Sequence, residues 1–167
     1  MMKIFKTMAL LASMFILMPA FTSCGDDDDD DPKNLDVSKI TGTYSGQLGW
    51  KVMTSEGDFD GTYEIQILPE KNDDDDVTVV LPECSFTMPG TTMERTIPSL
   101  TVRDVDVKET GNVYTISEDD FDITVDGTKY IGSISGTVAG RDVKLNYSLQ
   151  PGQMKMDINF TYTGTLK

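Results

Sequence analysis

From Ile40 onward, apolar and polar residues alternate along the chain, and no stretch sustains the 3.6-residue period of an amphipathic helix. The first run places Tyr44 and Val52 on one face, and the last run does the same with Phe160 and Tyr162. Because successive side chains of a strand point to opposite faces of a sheet, each such set belongs to one side of a sheet. The alternation therefore predicts an all-β chain, with no significant helix outside a signal peptide.

Turn residues separate the alternating runs, and the sharpest turn is Asp126-Gly127, which fits the type I′ turn of a two-residue hairpin. The alternation slips by one residue between Val102 and Val105 and again near Pro82. Such slips predict β-bulges or bends, so two short runs can be halves of one bent strand. We expect eight to ten antiparallel strands, joined mainly by short turns.

A helix-free meander either closes into a barrel or packs as a sandwich, because open strand edges invite aggregation. The long alternating runs near the two ends of this segment favour closure, since each gives the other a partner. A transmembrane barrel, with its apolar face outward, needs strands of roughly 9 to 11 residues. The runs at residues 114–116 and 121–125 are shorter, so we expect the apolar face to lie inside.

Three segments carry a resemblance to a known family: ITGTYSG at residues 40–46, IPSLTV at 97–102 and MDINFTYTG at 156–164. They resemble the calycin-like β-barrel domain, a family of lipocalin-related barrels found on bacterial surface lipoproteins. The Gly42-x-Tyr44 start is similar to the Gly-x-Trp start of true lipocalins, with Tyr in place of Trp. The resemblance covers residues 39–167. The resemblance implies an antiparallel up-and-down β-barrel that can hold an internal ligand, and it identifies no catalytic residues.

The first 23 residues have the order of parts expected of an export signal, with Lys3 and Lys6 ahead of an apolar stretch at residues 8–21. That stretch is about 14 residues long, whereas a spanning helix needs roughly 20. The sequence FTSC at residues 21–24 resembles a bacterial lipobox. We therefore expect residues 1–23 to be a lipoprotein signal peptide, Cys24 to be the site of lipid attachment, and residues 24–38 to be an acylated, acidic tether.

Gly25 follows the cysteine, which resembles lipoproteins released to the outer membrane, and six aspartates follow at residues 26–31. The aspartates resemble the surface-export signal of Gram-negative lineages, but they also fit a solvated, self-repelling spacer. We expect an outer membrane lipoprotein of a Gram-negative bacterium, exposed on the cell surface or facing the periplasm. Its membrane contact is expected to be the lipid anchor.

The charge balance and the missing histidine exclude several classes of function. Lys and Arg number 14 against 28 Asp and Glu, for a net charge of −14, whereas nucleic acid binding needs a basic patch. The chain contains no histidine, the commonest general base and a common ligand of zinc and haem. We therefore expect no enzyme activity, no cofactor and no nucleic acid partner.

The remaining cysteine and the acidic clusters are weak candidates for chemistry. Cys84 has no partner for an intramolecular disulfide once Cys24 is acylated, and a lone cysteine beside a strand is typically a small buried hydrophobe, the alternative being a reactive thiol. Residues 73–76 and 118–122 are rich in carboxylates but lack the spacing of an EF-hand. We expect solvated loops at these clusters and no metal site.

Roughly thirty large apolar residues share the inward face, which favours a barrel filled by side chains over one that holds a ligand. Inward glycines at positions 42, 46, 132 and 136 would open space, although glycines also allow sharp coiling of strands. Residues that could line a ligand site form a small set: Tyr44, Trp50, Met53, Met154 and Met156.

The function expected from these features is a non-enzymatic, lipid-anchored binding module for a small apolar ligand or a surface partner. The alternative is an accessory subunit of an outer-membrane complex with a filled barrel. The sequence names neither the ligand nor the partner.

Overall fold

The computed structural model describes residues 35–71, 75–87 and 90–167. The predicted signal peptide, Cys24 and the aspartates at 26–31 lie outside these residues. Within them, no helix is long and apolar enough to cross a membrane. The described chain forms a 3-10 helix at Val37–Lys39 and the strands β1 (Gly42–Val52), β2 (Ser55–Asp58), β3 (Tyr63–Pro69), β4 (Asp76–Leu81), β5 (Cys84–Thr87), β6 (Glu94–Ile97), β7 (Leu100–Thr110), β8 (Val113–Val125), β9 (Thr128–Ala139), β10 (Asp142–Pro151) and β11 (Ile158–Leu166).

Eight strands form one closed antiparallel barrel, which confirms the predicted fold. The order around the barrel is β1-β3-β4-β7-β8-β9-β10-β11, and β11 pairs with β1 to close it. The three short strands lie outside this ring: β2 pairs with the end of β1, and β5 pairs with β6 as a separate hairpin. The end of the barrel where β1 ends and β9 begins, and where β2, β5 and β6 lie, is called the hairpin end below.

The inward face of each strand is buried and apolar, as the alternation predicts. Successive residues of β11 alternate between buried and exposed over Ile158 to Tyr162, and β10 shows the same pattern. The prediction that the apolar face lies inside is confirmed. The expectation that the strands at residues 114–116 and 121–125 are short was wrong, because both runs belong to a single strand of 13 residues, β8.

A bulge joins those two runs, because the register of β8 against β9 shifts between Glu118 and Phe121. The slip predicted between Val102 and Val105 is also present, since Asp104 there has a left-handed backbone with φ of 54°. The predicted two-residue turn is confirmed as well, because Asp126 and Gly127 both have positive φ, at 49° and 77°.

Glycines at positions that face the barrel interior allow neighbouring strands to approach closely. A Cβ atom on Gly46 would lie 2.0 Å from the carbonyl oxygen of Thr163, and one on Gly132 would lie 2.0 Å from that of Ser148. The space beside Gly132 is occupied by the ring of Phe121, at 2.7 Å from the same position. These glycines therefore allow the strands to coil, and neighbouring side chains take up the space that they leave.

Candidate functional site

The buried apolar side chains of the barrel form one core cluster, which ends at the hairpin end in a group of aromatic rings. Tyr147 stacks on Phe160 with ring centroids 4.7 Å apart, and Phe160 stacks on Phe59 at 6.4 Å. Phe86 of β5 lies edge-on to Phe59 at 6.5 Å and stacks on Trp50 at 5.7 Å. Because Phe86 is itself buried, this contact fixes the β5–β6 hairpin against the mouth of the barrel.

The register of this hairpin decides which of its side chains turn toward the barrel. Cys84 pairs with Ile97, and Phe86 pairs with Arg95, so these four residues share one face. Cys84, Phe86 and Ile97 are buried on that face, whereas Arg95 is exposed. The hairpin therefore places a guanidinium at the mouth of the barrel.

A cleft of about 480 Å³ lies between the hairpin, the start of β9 and the loop from β10 to β11. It is called the mouth cleft below. Its walls combine apolar side chains with hydroxyl, amide and guanidinium groups, which is the mixture typical of small-molecule sites. The lining residues are Arg95, Thr96, Ile97, Thr128, Tyr130, Pro151, Gly152, Gln153, Met154 and Ile158.

The polar groups of the mouth cleft are suited to a ligand with an acceptor atom. Arg95 forms no ion pair with any residue that the structure describes. Burial raises the pKa of Tyr130, with a smaller contribution from the negative charge of Asp126. The phenol of Tyr130 therefore stays protonated at neutral pH and can donate a hydrogen bond within the cleft that Arg95 also lines.

The loop from β10 to β11 is held in place, so one wall of the cleft is already formed. The Gln150 side chain donates to Asp157 at 2.6 Å across the base of the loop. The backbone N–H of Gly152 donates to Lys129 at 2.6 Å, and that of Met154 donates to Pro151 at 3.1 Å. A ligand entering this cleft would meet an ordered surface rather than a loop that must first be fixed.

The five residues expected to line a ligand site are dispersed. Tyr44 is fully buried in the core, and its hydroxyl donates to the carbonyl of Ile40 at 2.8 Å. Trp50 borders a separate groove on the outer wall, whereas Met53 occupies an exposed turn. Met154 lines the mouth cleft, and Met156 is exposed near it but does not line it.

Cys84 and the acidic clusters were the other candidates for chemistry in the sequence. Cys84 is buried, and burial raises the pKa of its thiol to about 12, so it is the small apolar residue that was expected and not a nucleophile. Across the described ranges, no group of three or more acidic or cysteine side chains could hold a metal ion. Residues 73 and 74 of the first acidic cluster lie outside these ranges.

Sequence reasoning missed Arg95 and Tyr130, two of the polar residues that line the mouth cleft. Arg95 follows a stretch with no clear alternation, and Tyr130 reads as one more inward aromatic of a strand. The signal that was present is the shared parity of Arg95 and Ile97, which places a cation on the same face as an apolar residue.

The fold agrees with a family model. Residues 40–165 match the calycin-like beta-barrel domain. The chain belongs to this family. The calycin-like barrel is also similar to the crystal structure of a "putative outer membrane protein" from Bacteroides fragilis, at 23% identity and a TM-score of 0.65. That match covers 79% of this chain and 53% of the other, so the chain spans about half of its length, and the likeness shows the fold alone.

A second solved structure, that of Rv2717c from M. tuberculosis, has a TM-score of 0.40 and 7% identity to the calycin-like barrel. It covers 78% of this chain and 94% of the other, and it is too dissimilar to bear on function. No curated protein matches the chain significantly.

Proposed function

We propose that this calycin-like barrel is a non-enzymatic binding module of the cell envelope, tethered to the outer membrane by lipid on Cys24, which engages its ligand or partner at the hairpin end. The observation that carries the proposal is a contrast between two neighbouring regions. The apolar side chains inside the barrel form one buried cluster, from which we infer that the interior is filled. The mouth cleft beside it presents Arg95, which forms no ion pair with any described residue. The mouth cleft can bind a ligand because its polar groups are exposed and are already held in position.

The absence of an enzyme activity is part of this proposal and is supported by the residues themselves. The chain has no histidine, and the thiol of Cys84 is protonated at neutral pH because burial raises its pKa to about 12. General acid–base and nucleophilic catalysis both need a group that can titrate or attack near neutral pH. The mouth cleft offers donors and apolar contacts, which bind and orient but do not transfer protons.

The chemistry of the cleft favours a small, largely apolar ligand with one anionic or carbonyl group. Arg95 and the phenol of Tyr130 would hold the acceptor, and Met154 and Ile158 would cover the apolar part. A cleft of about 480 Å³ lies in the range of small-molecule sites, roughly 300 to 1,000 Å³.

A second candidate is an accessory subunit of an outer-membrane complex. The filled interior favours it, because a barrel without room for a ligand can act only through its surface. The occupant of the mouth cleft would then be a loop of a partner protein instead of a free molecule.

Photo-cross-linking on whole cells separates these candidates. A benzophenone amino acid placed at Thr128 or Gln153 should yield one defined adduct, because these residues border the cleft and leave Arg95 in place. An adduct of a few hundred daltons supports the small ligand, and a protein-sized adduct supports the accessory subunit. Matched controls are Thr137 and Lys144, which are exposed on the barrel wall. Unmodified monomer at all positions, or equal adducts at the controls, would overturn the proposal.

The tether is tested separately. Cys24→Ala should abolish incorporation of an alkyne-labelled fatty acid and release the protein from the membrane fraction, because two or more acyl chains are needed for stable anchoring. Cys84→Ala is the matched control and should keep both the label and the membrane location. Labelling that persists in the Cys24→Ala protein would contradict the predicted anchor.

A further inference from the structure

Two neighbouring strands of the barrel, β7 and β8, separate part-way along their length. They are joined by a short turn and pair over five positions, from Thr110 opposite Val113 to Asp106 opposite Ser117. Both strands continue beyond this point, β7 back to Leu100 and β8 on to Val125, but no pairing between them is formed there.

A bulge on each strand accounts for the separation. On β7, Asp104 adopts the left-handed backbone conformation with φ of 54°, which interrupts the extended chain. On β8, the register against β9 shifts between Glu118 and Phe121. Bulges bend a strand and increase its twist, so two bulges at the same level turn the strands away from each other.

The separated segments keep their partners on one side only. Residues 100–102 and 105 of β7 pair with β4, and residues 121–125 of β8 pair with β9. Their facing edges have no strand partner within the described part of the chain, and a cleft of about 350 Å³ lies between them. The N–H of Asp120 donates to the carboxylate of Glu118 at 3.2 Å. Because alternate residues of an antiparallel strand direct N–H and C=O groups to opposite sides, the rest of each edge offers backbone groups that no strand pairs with.

The side chains around this split cleft are mainly acidic. Its lining contains four carboxylates and one guanidinium, together with Thr101, Phe121 and Ile123; the charged residues are Arg103, Asp104, Glu118, Asp120 and Asp122. Asp122 also forms a salt bridge of 2.7 Å with Lys129. A second copy of this chain, with a net charge of −14, would be repelled, whereas a cationic segment would be attracted.

We propose that the split cleft accepts an extended, lysine- or arginine-rich segment of a partner polypeptide as an added β-strand. Backbone hydrogen bonds to the open edge of β8 or β7 would supply the affinity, and the carboxylates would select a cationic sequence. The site shares no lining residue with the mouth cleft, so the inference stands apart from the function proposed above.

Three eight-residue peptides test both parts of this inference by calorimetric titration. The probe alternates lysine with valine or threonine, and the first comparison replaces lysine by glutamate. The second keeps every lysine but carries methyl groups on alternate backbone nitrogens, which removes hydrogen-bond donors without changing charge. We expect saturable one-to-one binding of the probe, and at least about tenfold weaker binding of both comparison peptides. Equal binding of the methylated peptide would show that no ladder forms and would overturn the proposal, as would no binding of the probe.

Matched variants locate the binding. Asp120→Lys, at the cleft, should weaken the probe about tenfold by charge reversal, while Asp119→Lys makes the same change in net charge at a neighbouring exposed position that does not line the cleft. Lys144→Ala, at an exposed position of the barrel wall that does not line the split cleft, should leave the probe's affinity unchanged. Equal losses in the Asp119→Lys and Asp120→Lys proteins would place the peptide elsewhere and contradict the site. A dimer of the unliganded protein that Asp120→Lys abolishes would identify a second copy as the occupant and overturn the cationic partner.

Discussion

Two junctions between neighbouring strands of the barrel, called seams below, differ in how many residue positions pair. The difference is the opposite of what sequence distance would suggest. The closing seam joins β1 to β11, which lie at opposite ends of the barrel domain, and it pairs over nine positions from Tyr44–Leu166 to Val52–Ile158. The split seam joins β7 to β8, which follow each other directly, and it pairs over five. Continuous pairing is thus determined by the residues at the seam and not by proximity in the chain.

The closing seam has residues that allow two strands to approach closely and hold them there. Gly46 lies opposite Gly164, and the ring of Tyr162 covers Gly164. The hydroxyl of Tyr162 donates to the carbonyl of Tyr44 at 2.9 Å, and the carbonyl of Tyr63 lies 3.2 Å from the same oxygen and can share its one hydrogen. This side chain therefore connects β11 to β1 and β3 inside the barrel. The split seam instead has two bulges and a row of carboxylates.

The largest expected effect is at the closing seam. Gly46→Val should lower the free energy of unfolding by about 3 kcal/mol or more, because overpacking against backbone cannot be relieved by a rotamer change. A Cβ atom there would lie 2.0 Å from the carbonyl oxygen of Thr163 and 2.5 Å from the Cα of Gly164. Chemical denaturation gives the measurement.

Gln47→Val is the control for that substitution, since Gln47 is the next residue of β1 and is exposed. Its free energy of unfolding should change by no more than about 0.5 kcal/mol. Similar losses in the two proteins would mean that the close approach at Gly46 is not what limits this seam.

A smaller effect is expected from Tyr162→Phe, about 1 to 2 kcal/mol, because it removes a buried hydrogen bond to backbone that water cannot replace. Tyr114→Phe is the comparison: its hydroxyl donates to the exposed carboxylate of Glu109 at 2.9 Å, which water can solvate instead. Denaturation of both variants at pH 7 should give the larger loss for Tyr162→Phe, and the reverse order would contradict the role assigned to this seam.

The same residue predicts a dependence on alkaline pH. Burial raises the pKa of Tyr162 to about 12, above the value near 10 expected in the unfolded chain. The unfolded chain thus loses its proton first as pH rises, so this contribution to stability is complete below about pH 10 and declines toward pH 12. Tyr162→Phe should show a shallower decline of the denaturation midpoint between these values, and an unchanged slope would contradict the assignment.

At the split seam, the effects on stability should be the smallest. Asp104→Gly should change the free energy of unfolding by about 0.5 kcal/mol or less, because glycine adopts the left-handed backbone freely. Asp104→Val should cost about 1 to 2 kcal/mol, since a β-branched residue is poorly tolerated there. Arg103→Val serves as control at the adjacent exposed position, where no such conformation is required. A neutral Asp104→Val would argue against the bulge.

Much of the barrel could be predicted from the sequence, because alternation and turn formation depend on residues that are neighbours in the chain. The alternation through Phe160 and Tyr162 gives the buried face directly, and Asp126-Gly127 gives a turn, because each depends on neighbours in the chain. The slip between Val102 and Val105 gives the bulge at Asp104 in the same way.

The candidate sites could not be predicted, because they depend on which distant segments meet. β5 and β6 have four residues each, too few for a reliable period. Arg95 and Tyr130 line one cleft because the contact of Phe86 with Trp50 holds the β5–β6 hairpin at the mouth. The split cleft has a similar origin. One bulge leaves a visible slip, but the cleft needs a second bulge at the same level on the neighbouring strand.

The central claim is that the barrel interior is filled and that binding occurs on the surface. The most direct test is a titration of the folded protein with toluene, a small apolar probe, followed by NMR of the methyl groups of Leu48, Ile65 and Ile116, which are fully buried. The packed core predicts no saturable change in these signals. Saturable one-to-one binding that shifts all three would reveal an internal cavity and contradict the account.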